Sequence, residues 1–225
     1  MTSSATRALP AAAALFAVMA LLLFVPPWTL DWWQAWLFLV VYFSGSLALT
    51  LDLAKRDPAL LERRMKGGPW AEERLEQKII MTIASLGFFG LLLIPAFDRR
   101  FGWSHLPAIV AIVGNALMLI GGWGVWRVFC ENSFTSARIE LASDQRVIST
   151  GPYALVRHPM YTAALVMMAG IPLALGSLWG LLAFAAMMPT LIWRIFDEET
   201  FLASNLPGYA EYKQKVRHRL IPHFW

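Results

Sequence analysis

Apolar residues in this chain come in long blocks, not in the strict alternation of a half-buried strand. Four blocks cover 9–25, 33–51, 79–97 and 106–129. Each approaches the roughly 17–25 residues that a helix needs to cross the hydrocarbon core of a bilayer. A fifth block, 159–196, is too long for one crossing and breaks at Gly176-Ser177, where a tight turn joins two short helices. Pro172 and Pro189 fall inside these two helices and predict kinks. The pattern predicts an all-α, polytopic membrane protein. It has about six transmembrane helices, the last two forming a helical hairpin that leads into a cytoplasmic tail. No linker rich in serine, glycine or proline divides the chain, so residues 1–225 read as a single integral membrane domain. Four N-terminal spans occupy 1–129, with a basic loop at 52–78. A loop, the hairpin and the tail fill 130–225.

Composition agrees with a lipid-facing exterior. The chain is 58% hydrophobic and only 15% charged, against about 25% charged in an ordinary soluble domain. The first block has the look of a signal-peptide core, but Pro26-Pro27-Trp28 follows it with no small-residue cleavage site, so it reads as a retained span. The formal net charge is +4. With six spans and a cytoplasmic N-terminus, every lysine and arginine except Arg99 and Arg100 falls on the cytoplasmic side, which is the asymmetry expected of cytoplasmic loops. That placement accounts for the charge through membrane lipids and leaves nucleic acid without a role. A single span at 159–196 would destroy the asymmetry. Trp28, Trp32, Trp33, Trp103 and Trp179 fall near the predicted outer ends, as an aromatic belt. Small residues in the fourth block (Gly114, Ala116, Gly121, Gly122, Gly124) allow a close helix neighbour. The single cysteine, Cys130, has no partner for an internal disulfide.

The candidate chemistry sits at the two feet of the hairpin. Pro159 suits the first position of a helix, where its missing N–H costs nothing. His158 then stands at the positive end of that helix, and Arg157 adds a forked cation. One reading makes these a lipid-phosphate contact and a helix cap; the other makes them a ligand site. Arg194 and Glu198 are spaced i, i+4 and share a helix face, either as a helix-end ion pair or as a functional pair. The hairpin brings Arg157, His158, Arg194 and Glu198 together, and ionisable groups at membrane depth point to function. His105, His218 and His223 have no metal-site spacing, so no metal is expected. The glycines of "GGWG" at 121–124 lie within a span and do not form a dinucleotide loop.

Taken together, "GPYALVRHPMY" at 151–161, "RIFDEETFL" at 194–202 and "PGYAEYKQKVRHRLIPHFW" at 207–225 resemble the isoprenylcysteine carboxyl methyltransferase family. These are membrane enzymes that use S-adenosylmethionine, with phospholipid methyltransferases as more distant relatives. The resemblance covers about 144–225. It implies cofactor contacts at Gln145, Arg146, Val147, Ile148, Tyr153, Arg157, His158, Pro159, Met160, Tyr161 and Glu198. It also implies that Arg194 works on the acceptor side, giving Arg194 and Glu198 as the candidate catalytic pair. The expected acceptor is a lipophilic small molecule or lipidated group, most simply the carboxylate of an isoprenylcysteine-like moiety. Two other readings stay open: a membrane sterol-type reductase using NADPH, and a non-enzymatic lipid-binding membrane protein. The terminal "HRLIPHFW" is expected to lie along the membrane surface, anchored by Phe224 and Trp225.

Overall fold

The computed structural model describes residues 3–141 and 144–225. Among these, every regular element is helical. Helices α1 (Ser3–Phe24), α2 (Trp33–Arg56), α3 (Pro58–Met65), α4 (Leu75–Phe101), α5 (Ala108–Glu131), α6 (Pro159–Ala174), α7 (Gly180–Asn205) and α8 (Tyr209–Lys215) follow in order. Short 3-10 turns occupy Pro69–Ala71 and Gly151–Ala154. Four helices, α2, α4, α5 and α7, are long and apolar enough to cross a membrane. Two shorter apolar stretches, Pro10–Phe24 in α1 and Pro159–Ala174 in α6, accompany them.

Polar contacts divide the bundle into two ends. At one end Arg56 at the foot of α2 donates to the Phe129 carbonyl near the foot of α5 (3.1 Å). There Arg74, just before α4, pairs with Asp197 of α7 (2.6 and 2.8 Å). At the other end Arg99 and Arg100 cap the carbonyls of Asp31 (2.9 Å) and Pro26 (2.6 Å). Asp98 is buried there. Its carboxylate accepts from Ser104 N and Oγ, both at 2.7 Å, and from Ser177 Oγ. It thereby ties the α4–α5 loop to the turn between α6 and α7. A buried carboxylate needs this degree of satisfaction, because an unpaired one would change protonation state or unfold its surroundings. Nothing in the residue pattern singled out Asp98.

The glycines of α5 do what their size suggests. A Cβ on Gly121 would lie 2.6 Å from the Ala163 carbonyl oxygen, and one on Gly170 would lie 2.6 Å from the Gly114 carbonyl oxygen. Side chains there would force α5 and α6 apart, so these glycines allow backbone-to-backbone packing. Gly122 faces open space and takes no part. The last two long helices each lean elsewhere: α6 packs chiefly on α5, and α7 on α4.

Pro172 and Pro189 lie inside α6 and α7, where the sequence places them. Two other details depart from the pattern. Helix α7 runs nine residues beyond the apolar block and carries Glu198 and Glu199 on its polar extension. Trp32 is 2% exposed and packs edge-on against Phe24, so it belongs to the core and not to a belt. Trp28, Trp33, Trp103 and Trp179 are exposed.

Candidate active site

The polar end of the bundle is assembled around one carboxylate. Pro159 starts α6 and His158 occupies its N-cap position, without a side-chain cap bond. The C-terminal tail comes back along this junction. Arg157 N donates to the His218 carbonyl and His158 N to the Arg219 carbonyl, each at 2.9 Å. Thr162 Oγ1 donates to the Leu220 carbonyl at 2.7 Å. Glu199 sits beneath, accepting from Arg157 Nε (2.7 Å) and Arg219 Nε (3.2 Å), with His158 Nε2 at 3.3 Å and Lys213 Nζ at 3.6 Å. Arg157 also donates to the carbonyls of Val216 and Arg217 at 2.8 Å. The Arg157 side chain is thus taken up by Glu199 and the tail, and the His158 ring meets Glu199 and makes no cap bond.

Beside this hub lies a cleft of about 120 Å3, narrower than the few hundred Å3 of a usual small-molecule site. Of the sequence-derived candidates, Gln145, Arg146, Val147, Ile148, Tyr153, Arg157, His158 and Glu198 line it. They come from the α5–α6 connection, the Gly151–Ala154 turn, the start of α6 and the end of α7. Pro159, Met160 and Tyr161 do not line it. Pro159 is buried in the first turn of α6, and Met160 packs against the cluster of Leu53, Leu60, Leu61 and Phe129. Tyr161 stands behind the wall, donating to Glu198 Oε2 at 2.6 Å and accepting from Arg194 Nε at 3.0 Å. Glu198 and Arg194 are thus joined through a hydroxyl and form no simple helix-end pair.

Arg194 itself lies outside the cleft wall. It is buried against Glu72 and Gln77, which come from the basic loop at 52–78. Glu72 and Gln77 are both buried, and Gln77 also donates to Asp197.

The cleft also holds groups the motif reading missed. Asn132 Nδ2 donates to the Tyr153 hydroxyl (2.9 Å), and the Tyr212 hydroxyl donates to the Tyr153 carbonyl (2.7 Å), fixing the turn that shapes one wall. Burial raises the phenols of Tyr153 and Tyr212 above their ordinary pKa, so both stay protonated donors. Burial works to raise the Glu140 carboxyl, but hydrogen bonds from Ser136 and Arg138 outweigh it and hold the group below its usual value. The Tyr209 hydroxyl and Arg138 Nε are buried at this cleft with no hydrogen-bond partner. A buried polar atom left unpaired costs about 1–3 kcal/mol. Donors in that state, on a lining that also holds Glu198, Leu202 and Leu206, suit a ligand with both charged and apolar parts. S-adenosylmethionine is such a ligand.

Residues 109–207 match the phospholipid methyltransferase family. A probable protein-S-isoprenylcysteine O-methyltransferase from Oryza sativa subsp. indica is 28% identical over 136 residues, covering 57% of this chain and 66% of the relative. The cobalt-zinc-cadmium resistance protein CzcN from Cupriavidus metallidurans is 32% identical over 109 residues, covering 46% of this chain and 49% of the relative. The nickel-cobalt-cadmium resistance protein NccN from Alcaligenes xylosoxydans xylosoxydans is 27% identical over the same length. The chain spans about half the length of the two resistance proteins it matches. Among the described residues no group of three or more His, Cys, Asp or Glu side chains is placed to hold a metal ion, although the rings of His218 and His223 approach to 5.5 Å. Helices long and apolar enough to span a bilayer thus accompany a match across α5, α6 and α7 to the phospholipid methyltransferase family, and a likeness to a probable protein-S-isoprenylcysteine O-methyltransferase.

Proposed function

We propose that this protein transfers a methyl group from S-adenosylmethionine to a lipophilic acceptor, with the carboxylate of an isoprenylcysteine-like group as the acceptor favoured by the resemblance. The observation that carries the reading is the cleft, where Gln145–Ile148, Tyr153, His158 and Glu198 meet from separate segments, with unpaired donors at Tyr209 and Arg138. The cofactor brings an electrophilic methyl on a sulfonium, and transfer is an in-line displacement that needs no metal. The protein's share is alignment and exclusion of water. Glu198 is positioned to accept hydrogen bonds from the cofactor's ammonium or ribose hydroxyls, held in place by the Tyr161 O–H. The Arg146 side chain and the backbone around Val147 are suited to its carboxylate end. Arg194, one hydroxyl away from Glu198, is suited to orient the acceptor's carboxylate by paired donors.

The same reading takes α1, α2, α4, α5, α6 and α7 as six spans, with the termini and cleft cytoplasmic. Its support is the sorting of charge: apart from Arg99 and Arg100, the basic side chains outside the spans belong to the cleft end. The chemistry is tested with purified protein in nanodiscs. Titration calorimetry with S-adenosylmethionine is expected to give saturable binding. Labelled methyl incorporation is then measured across lipophilic carboxylates, thiols and amines. No cofactor binding in folded protein would refute the reading.

A further inference from the structure

Arg194 has no donor to spare. Its Nε–H goes to the Tyr161 hydroxyl (3.0 Å). Nη1 donates to Glu72 Oε1 (3.2 Å) and Gln77 Oε1 (2.5 Å). Nη2 donates to Glu72 Oε1 (3.2 Å) and the Ala137 carbonyl (3.4 Å). A guanidinium carries five N–H groups, and these contacts use all of them. An acceptor carboxylate arriving here finds the fork already filled, and among the described residues its anionic occupant is another carboxylate, 122 positions away in sequence.

We propose that Glu72 is a placeholder for the acceptor's carboxylate. The substrate binds by replacing Glu72 on Arg194, and the strap 67–74 is the element that moves. The proposal rests on the reading of the acceptor as a carboxylate. Three observations support it.

The first is the quality of the fit. Glu72 offers one oxygen to both Nη atoms at 3.2 Å, whereas charge-assisted pairs settle near 2.7–2.9 Å and a good fork uses both oxygens. Glu199 meets Arg157 at 2.7 Å in the same protein. A carboxylate free to present both oxygens squarely would hold Arg194 better than Glu72 does.

The second is the strap itself. It leaves α3 through Gly67 and Gly68, the latter at a φ of 115° that side chains rarely adopt. It contains only the three-residue turn Pro69–Ala71, and Trp70 on that turn is 96% exposed. Besides Glu72, two side-chain ties hold it: Arg138 reaches the Ala71 carbonyl (3.2 Å), and the half-exposed Arg74 pairs with Asp197 (2.6 and 2.8 Å).

The third is electrostatic. Glu72 is 4% exposed and Arg194 is 9% exposed. Withdrawing Glu72 alone would leave a buried, unpaired guanidinium, which costs several kcal/mol. Exchanging one carboxylate for another avoids that cost. The strap is therefore stable when shut and yields to an anion, so Glu72 selects acceptors by charge.

The test uses the whole protein in nanodiscs with S-adenosylhomocysteine bound. The probes are N-acetyl-S-farnesylcysteine and its carboxamide, which differ only in the charged group. Glu72→Gln keeps the side-chain shape but frees the fork for a better partner. It is expected to tighten the carboxylate about tenfold and leave the carboxamide within about twofold. An unchanged ratio between the two probes, or no binding of either by Glu72→Gln, overturns the proposal. Loss of S-adenosylhomocysteine binding in the wild type would instead strike the methyltransferase reading.

A second variant covers the case in which Glu72→Gln fails to fold. A Cβ on Gly67 would lie 2.8 Å from the Ala137 Cβ, closer than two such carbons pack, so Gly67→Ala pushes the strap off its seat while leaving Glu72 and Arg194 unchanged in sequence. It is expected to tighten the carboxylate probe at least about threefold and leave the carboxamide within about twofold. An unchanged ratio between the two probes overturns the proposal.

Discussion

Glu198 and Glu199 are neighbours in α7, yet their carboxylates serve different parts of the protein. Glu198 accepts the Tyr161 hydroxyl and faces the cleft. Glu199 is buried among Arg157, His158, Lys213 and Arg219 and holds the tail to the start of α6. Successive helical residues point about 100° apart, so one face of α7 serves the ligand and the next serves the fold.

The two glutamates should therefore fail differently. Glu198→Ala is expected to weaken S-adenosylmethionine at least about tenfold, roughly 1.4 kcal/mol, with little change in thermal midpoint. Glu199→Ala strands buried cations and should cost about 3–5 kcal/mol of stability, seen as a large fall in midpoint and in folded yield. Calorimetry and thermal unfolding on both variants separate the roles. Equal effects on binding with no loss of stability would show that the division is wrong.

Tyr209 lies on α8, inside the 207–225 stretch that carries part of the resemblance, and its hydroxyl is unpaired at the cleft. Burial, together with the nearby carboxylates of Glu199 and Glu198, raises its pKa well above the ordinary value, so it remains a donor at any physiological pH. Tyr209→Phe should leave the ligand-free midpoint unchanged or slightly higher, because an unsatisfied group is removed. It should weaken the cofactor by about three- to tenfold, the worth of one hydrogen bond. A ligand-free protein destabilised by Tyr209→Phe would assign the hydroxyl a structural partner instead.

Helix packing offers a contrast within one turn of α5. Gly121→Val places a side chain against the Ala163 carbonyl and the Met167 backbone and should prevent α6 from docking. Gly122→Ala enters open space and replaces a poor helix former with the best, so it should be neutral or stabilising by up to about 1 kcal/mol. Size-exclusion profiles and unfolding midpoints in detergent read the difference.

Orientation is accessible through Cys130, which is exposed at the foot of α5 near the cleft end. In intact cells a membrane-impermeant maleimide should leave it unlabelled, and inverted vesicles should expose it. His105→Cys in a Cys130→Ser background lies at the opposite end, beside Ser104, and should show the reverse. The same labelling pattern at both positions would contradict the six-span topology.

Some of this was present in the residues taken in order. Apolar block length is a local property, so the helices and the break at Gly176-Ser177 could be read directly. Pro159 marked the start of α6 for an equally local reason, its missing N–H. Glycine spacing in α5 announced a close neighbour without naming α6. Partner choice for the charged groups was a different matter. Arg194 lies four residues from Glu198, which made that pair the obvious one, but its carboxylate partner is Glu72, far back in the chain. Spacing along a helix tells which side chains share a face, not what the face meets. Only the packing of α7 on α4 brings Glu72 and Gln77 to Arg194, and only the returning tail brings Arg219 to Glu199. Coulomb attraction and hydrogen bonding depend on distance in space, and for these groups that distance is set by helix packing.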